Sequence, residues 1–144
     1  SGVIYFMHPI FTQYDKNAPK WCKQLFLNAL DMLLPELLIR HDGPSTLLVT
    51  VNEQPVEKRW VVHLLHYIPE RRCREIDIIE DVIPLYNIKL SVRVQSGISR
   101  VVLVPENMPV SFAVCEDRAE FLIPEIRGHQ MVSIEFARPM PVIT

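Results

Sequence analysis

No CxxC pair and no regular cysteine spacing occur in this sequence: Cys22, Cys73 and Cys115 are odd in number and far apart. That excludes a disulfide framework and a zinc knuckle, and it reads as buried or incidental thiols in a reducing cytoplasm. A glycine-rich phosphate loop, a GxSxG elbow and a Cys/His nucleophile pairing are missing too, which removes the commonest nucleotide-binding and acyl-transfer signatures. No apolar run approaches the roughly 20 residues needed to span a bilayer, and no signal peptide opens the chain, so no membrane partner is expected. Neither sign of charge dominates. With a net charge of −2 and basic residues alternating with acidic ones, nucleic acid is a poor partner. An initiator Met is also lacking. The chain opens at Ser1-Gly2 directly before an apolar run at 3–7, as expected of a piece of a longer polypeptide.

What is present is hydrophobic substance enough for a core: 49% of 144 residues, the length of about one domain or a small domain with an appendage. The stretch 60–72, WVVHLLHYIPERR, organises the rest. Residues 60–67 carry no Gly or Pro and are rich in Val, Leu and aromatic side chains, which predicts a strand buried on both faces and central to a β-sandwich. Pro69 stops it. Glu70, Arg71, Arg72, Arg74 and Glu75 follow, and their interleaved signs predict a salt-bridged loop rather than an anion site.

Before that strand the chain has a different character. Residues 3–7 read as a short buried strand, 10–17 as a loop, and 20–34 as a helix with Asn17 or Ala18 at its cap, Pro19 in its first turn and Pro35 closing it. Trp21, Leu25 and Met32 lie on the broad apolar arc of that helix and are the candidate interface residues. From about Leu37 the period drops to two. Strands are expected at 46–52, 59–67, 76–83, 86–94, 100–104, 110–115, 120–126 and 131–136, with 95–97 and 116–118 as turns. The cleanest alternation is Ile88, Leu90, Val92 and Val94 inward against Asn87, Lys89, Ser91 and Arg93 outward. Short strands separated by a turn signal roughly every 8–12 residues define an antiparallel sandwich.

Three constellations invite chemistry and fail on geometry. His63 and His66 have the HxxH spacing of a metal clamp, but on a strand residues three apart face opposite ways. Glu80 and Asp81, as neighbours on an extended chain, point apart and cannot face each other across a glycosidic bond. Trp21, Trp60, Tyr67 and Tyr86 could stack on sugar rings if exposed, yet each lies in an apolar pattern that predicts burial. No catalytic residue, cofactor or metal is therefore expected.

The segments GVIYFMHPIFTQYDKNAPKWCKQLFLNALDMLLPE, GPSTLLVTVNEQ, WVVHLLHYIPERR, EDVIPLYNIKLSVRV, VVLVPE and GHQMVSIEF together resemble the C-terminal end of bacterial glycoside-hydrolase-like proteins that carry a β-galactosidase trimerisation domain, relatives of glycoside hydrolase family 42. HLLHYIPERR and EDVIPLY are the most specific runs. The resemblance implies that residues 1–36 are the terminal strand and helix of a preceding α/β (flavodoxin-like) domain and that 37–144 form a C-terminal β-sandwich. It implies a non-catalytic accessory domain that stabilises or assembles a bacterial enzyme of carbohydrate metabolism. The catalytic carboxylates would belong to a (β/α)₈ barrel, which needs about 250 residues. The expected partners are upstream domains of the same polypeptide and a second copy of the chain in a homo-oligomer. The alternative is a carbohydrate-binding module, which exposed aromatics on one sheet face or loop rim would distinguish.

Overall fold

The computed structural model describes residues 2–94 and 97–137, and the chain divides into two compact units, Ser1–Leu37 and Leu38–Thr144. The first unit is a pair of helices, α1 (Ile10–Asn17) and α2 (Lys20–Leu33). The loop expected at 10–17 is thus a helix. No Gly or Pro interrupts it, and its apolar residues Ile10, Phe11 and Tyr14 fall at helical spacing. Ala18 ends α1 in the left-handed conformation, φ 45°, with its N–H donated to the Tyr14 carbonyl at 2.7 Å. Pro19 is therefore the residue that precedes α2 rather than one inside its first turn.

Cys22 is buried in this unit, its thiol 3.9 Å from Gln13 Oε1, and Phe26 meets Phe11 edge to face at 5.3 Å. The strand expected at 3–7 does not form among the described residues; Val3, Tyr5 and Met7 are exposed. A lone extended segment with no neighbouring strand has no partner for its N–H and C=O groups.

The second unit is mainly β, as expected. Its strands are β1 (Ile39–His41), β2 (Leu48–Gln54), β3 (Arg59–Leu65), β4 (Glu70–Arg71), β5 (Asp77–Ile78), β6 (Leu85–Arg93), β7 (Ile98–Val104), β8 (Met108–Pro109), β9 (Phe112–Cys115), β10 (Arg118–Ile126) and β11 (His129–Phe136). One antiparallel sheet has the order β1-β6-β10-β9 and the other β2-β3-β11-β7-β8. Alternate side chains of the two inner faces make the core: Trp60, Val62 and Leu64 from β3, Leu90 and Val92 from β6, Ile123 from β10, Ile134 from β11. Trp60 is 2% exposed and meets Phe136 edge to face at 5.1 Å.

Three expectations need correction here. β3 is second in its sheet, and the middle position belongs to β11, because strand neighbours are chosen by long-range pairing that an alternation pattern does not encode. The apolar stretch 76–83 does not join the sandwich. Only Asp77–Ile78 pairs, with β4 in a two-stranded ribbon, and Ile76, Ile79 and Ile83 stay exposed. Finally, Tyr86 is exposed rather than core, as are Tyr67 and, in the first unit, Trp21. Asn87 sits opposite Pro124, adopts φ 54°, and drops out of the β6–β10 ladder. Pro124 has no N–H to give. Beyond that point the inward positions change parity on both strands, so Leu85 and Ile126 reach the core while the facing pair Tyr86 and Glu125 are displaced from it. The turn expected at 95–97 lies outside the described residues at Gln95 and Ser96.

Candidate functional site

The corner where β10 passes into β11 gathers five polar side chains around a concavity. Glu125 lies one residue before the end of β10, Arg127 and Gly128 make the link, and His129 and Gln130 open β11. Glu125, Arg127, His129 and Gln130, with Glu106 from the turn between β7 and β8, line a pocket of about 390 Å³ whose apolar lining is Leu103, Met108 and Pro124. Such a volume falls in the usual range for small-ligand sites, about 300–1,000 Å³.

Gly128 makes the corner. At φ 73° it adopts a left-handed turn that other residues resist, and its carbonyl accepts the His66 N–H at 2.7 Å. Arg127 donates Nε to Glu125 Oε1 at 3.1 Å, and its Nη2 lies 3.1 Å from the same oxygen. Gln130 donates Nε2 to Glu106 Oε2 and to the Val104 carbonyl, each at 3.1 Å.

A line of side chains on the outer face of the second sheet ends in this pocket. Asn52 Nδ2 lies 3.3 Å from His63 Nε2, and His63 Nδ1 lies 3.1 Å from His129 Nε2. The imidazole planes are within 6° of parallel and the centroids are 5.4 Å apart. A centroid separation that exceeds the N···N distance by about one ring width means the rings meet edge to edge, in an N–H···N hydrogen bond. With the Asn52 amide nitrogen donating, His63 Nε2 accepts, its Nδ1 proton goes to His129 Nε2, and the His129 proton is held on Nδ1.

His66 takes the opposite direction, as the strand geometry predicts. It is buried, with Nδ1 donating to the Ile83 carbonyl at 3.1 Å and Nε2 accepting from Thr46 Oγ1 at 3.0 Å. The charged corner after β3 is an ion-pair cluster: Arg71 pairs with Asp77, and Arg72 reaches Glu70 at 2.9 Å and Glu80 at 2.6 Å. Glu80 is thus a partner of Arg72, not of Asp81.

A second polar group lies on the outer face of the first sheet. Arg118 donates Nε to Ser91 Oγ at 2.8 Å and Nη2 to the Ser91 carbonyl at 2.7 Å. Burial lowers its pKa from the ordinary arginine value, helped by the nearby Arg40 guanidinium. Lys89 meets Glu120 at 2.7 Å, and this hydrogen bond raises the lysine pKa. Trp21, Leu25 and Met32 are all exposed, Met32 to 78%. A shallow concavity beside Trp21 and Leu25 is shared with Lys20, Gln24 and Asn28.

Glu106, Glu125, Arg127, His129 and Gln130 were not legible as a group in the sequence. The available signal was the polar run 125–130 between two apolar strands, broken by the Gly128 turn. Glu106 comes from another hairpin and gave none.

These features define an antiparallel β-sandwich module with a helical pair before it. No protein-family model matches the chain, and comparison with curated proteins gives no match. Among solved structures, α-L-fucosidase isoenzyme 2 from Paenibacillus thiaminolyticus is similar at 29% identity and a TM-score of 0.85, over 90% of this chain and 20% of the fucosidase. A cycloisomaltooligosaccharide glucanotransferase from Paenibacillus sp., in complex with cycloisomaltoheptaose, aligns at 18% identity with a TM-score of 0.49, over 67% of this chain and 16% of its own. The chain therefore spans about a fifth of the fucosidase it matches.

Proposed function

We propose that this chain is a non-catalytic accessory part of a glycoside hydrolase, one that stabilises or assembles the enzyme. The observation that carries the reading is the likeness to a fucosidase over 90% of this chain but only 20% of the other. A segment that matches so small a share of a glycosidase is too short to hold a catalytic barrel. The sequence resemblance to relatives of glycoside hydrolase family 42 supports the finer version, in which residues 1–36 close a preceding α/β domain and the sandwich ends a bacterial chain. The geometry is compatible with a non-catalytic role, since Glu80 is bound to Arg72 and Glu125 to Arg127.

Two measurements test this. The gene sequence upstream of the Ser1 codon is expected to encode a (β/α)₈ barrel with two facing carboxylates; an unrelated upstream domain would overturn the assignment. The chain by itself is expected to hydrolyse no chromogenic aryl glycoside, and turnover lost on Glu80→Gln or Asp81→Asn would refute the non-catalytic role.

A further inference from the structure

We propose that the pocket at the β10–β11 corner binds a neutral saccharide, with Tyr86 as a stacking surface and Glu106, Glu125, Arg127 and His129 as its hydrogen-bonding wall. This adds a ligand to the accessory role above and stands or falls separately from it.

The chemistry of the wall selects the ligand class. Two carboxylates stand beside one guanidinium, and that guanidinium is already engaged by Glu125. No excess of positive charge is left to hold a phosphate or a sulfate. A hydrocarbon ligand would bury the same carboxylates with nothing to bond them. Sugar hydroxyls both donate and accept, and so they match a surface where acceptors and donors alternate. Glu125 and Arg127 are such an alternation. Glu106 holds Gln130 through Oε2, which leaves Oε1 for a hydroxyl.

His129 supplies a donor of fixed sense. Its Nε2 accepts from His63, which in turn accepts from Asn52, so the His129 proton resides on Nδ1. His63 and Asn52 are positioning residues for that donor. A free imidazole would spread its proton over both nitrogens; this one presents a single N–H.

Tyr86 supplies the apolar component. It is 57% exposed and sits directly across the strand pair from Glu125, a pocket-lining residue. An exposed phenol ring next to a carboxylate offers a face for the C–H side of a pyranose and an edge for its hydroxyls. Neither would exist without the change of face at Asn87, which takes Tyr86 out of the core.

Because the Arg127 and Glu125 side chains remain 67% and 43% exposed, the affinity is modest, with Kd on the order of 1 mM for a small sugar. The test is amide-resolved NMR of the full chain titrated with L-fucose, D-galactose, isomaltotriose and, separately, inorganic phosphate. The expected result is saturable shifts from at least one sugar, confined to 103–108, 85–87 and 124–131, with none from phosphate. Tyr86→Ala and Glu125→Gln should each weaken binding by about tenfold, while Tyr86→Phe retains it. His63→Leu, remote from the ligand, should weaken binding severalfold. The same spectra report whether each variant is folded, because amides away from the corner must stay in place. Absence of saturable shifts with every sugar, shifts centred elsewhere, phosphate binding at the corner, or affinity unchanged in both Tyr86→Ala and Glu125→Gln would overturn the proposal.

Discussion

The ring of Tyr67 lies so close over Gly128 that a Cβ at that position would stand 2.5 Å from the phenol oxygen and 2.7 Å from Cζ. No side chain fits there unless the ring moves, and the left-handed backbone adds its own penalty. Gly128→Ala is expected to destabilise the chain by about 1–3 kcal/mol, read from urea unfolding. Tyr67→Ala in the same background should recover part of that loss. A strictly additive double variant would show that the ring and the turn are not coupled.

Truncation inside the sandwich has a different magnitude. Leu90 is fully buried between the two sheets, and Leu90→Ala should cost about 2–5 kcal/mol through lost transfer energy and a cavity. A cost under about 1 kcal/mol in chemical denaturation would mean that β6 does not pack as described.

Ser133 offers the opposite case. Its hydroxyl is buried with no hydrogen-bond partner among the described residues, on a position of β11 flanked by Val61 and Val102. Ser133→Ala removes a desolvated polar group and is expected to leave stability unchanged or raise it by about 1 kcal/mol. A clear drop in the unfolding midpoint would reveal a bond that this hydroxyl makes.

The Lys89–Glu120 pair gives a pH dependence on the alkaline side. A base whose folded pKa is raised stabilises fully below its unfolded value, about 10.4, and loses that contribution as pH rises through the folded value. The raised pKa comes first from the hydrogen bond to Glu120. Unfolding midpoints of the parent and of Lys89→Met, followed from about pH 9 to about pH 12, should therefore converge at the top of the range. Curves that stay parallel would deny the pair any role.

The exposed apolar side of α2 predicts self-association. Trp21, Leu25 and Met32 are all accessible, as are Val3, Tyr5 and Met7, and contiguous patches of this kind are sticky. Light scattering across a concentration series should show mass rising for the parent and a monomer for Leu25→Glu/Met32→Glu. A monomeric parent throughout would defeat the idea.

The parts of the fold that were legible in the sequence are those where one face meets a core. Ile88, Leu90, Val92 and Val94 alternate without a break, and all four are buried. The strand at 60–65 was readable from its apolar content, but burial on both faces was not the outcome: Trp60, Val62 and Leu64 reach the core while His63 and Leu65, on the other face, are half-buried. The rest escaped because its cause is not local. Tyr86 continues the alternating pattern on paper, yet Pro124, distant in sequence, sits across from Asn87 and the pattern changes face there. Residues 76–83 look like a core strand because Ile and Val predominate, but only Asp77–Ile78 pairs, in a ribbon with β4, where Arg71 and Arg72 meet Asp77 and Glu80. The pocket was invisible as a unit, since Glu106 and Glu125 come from different hairpins and become neighbours only when β7 and β10 take their places in opposite sheets.

The position of β11 at the middle of its sheet sets the order in which the chain can acquire its shape during synthesis. β2 and β3 leave the ribosome before β11 and can pair as a hairpin, and β7 with β8 can do the same. Both remain separate pieces with open edges until His129–Phe136 emerges to sit between β3 and β7. Among the described residues, the strand that joins the two pieces is therefore made after both of them. A nascent chain halted before it would expose two unfinished edges, the species that chaperones capture and that aggregates recruit.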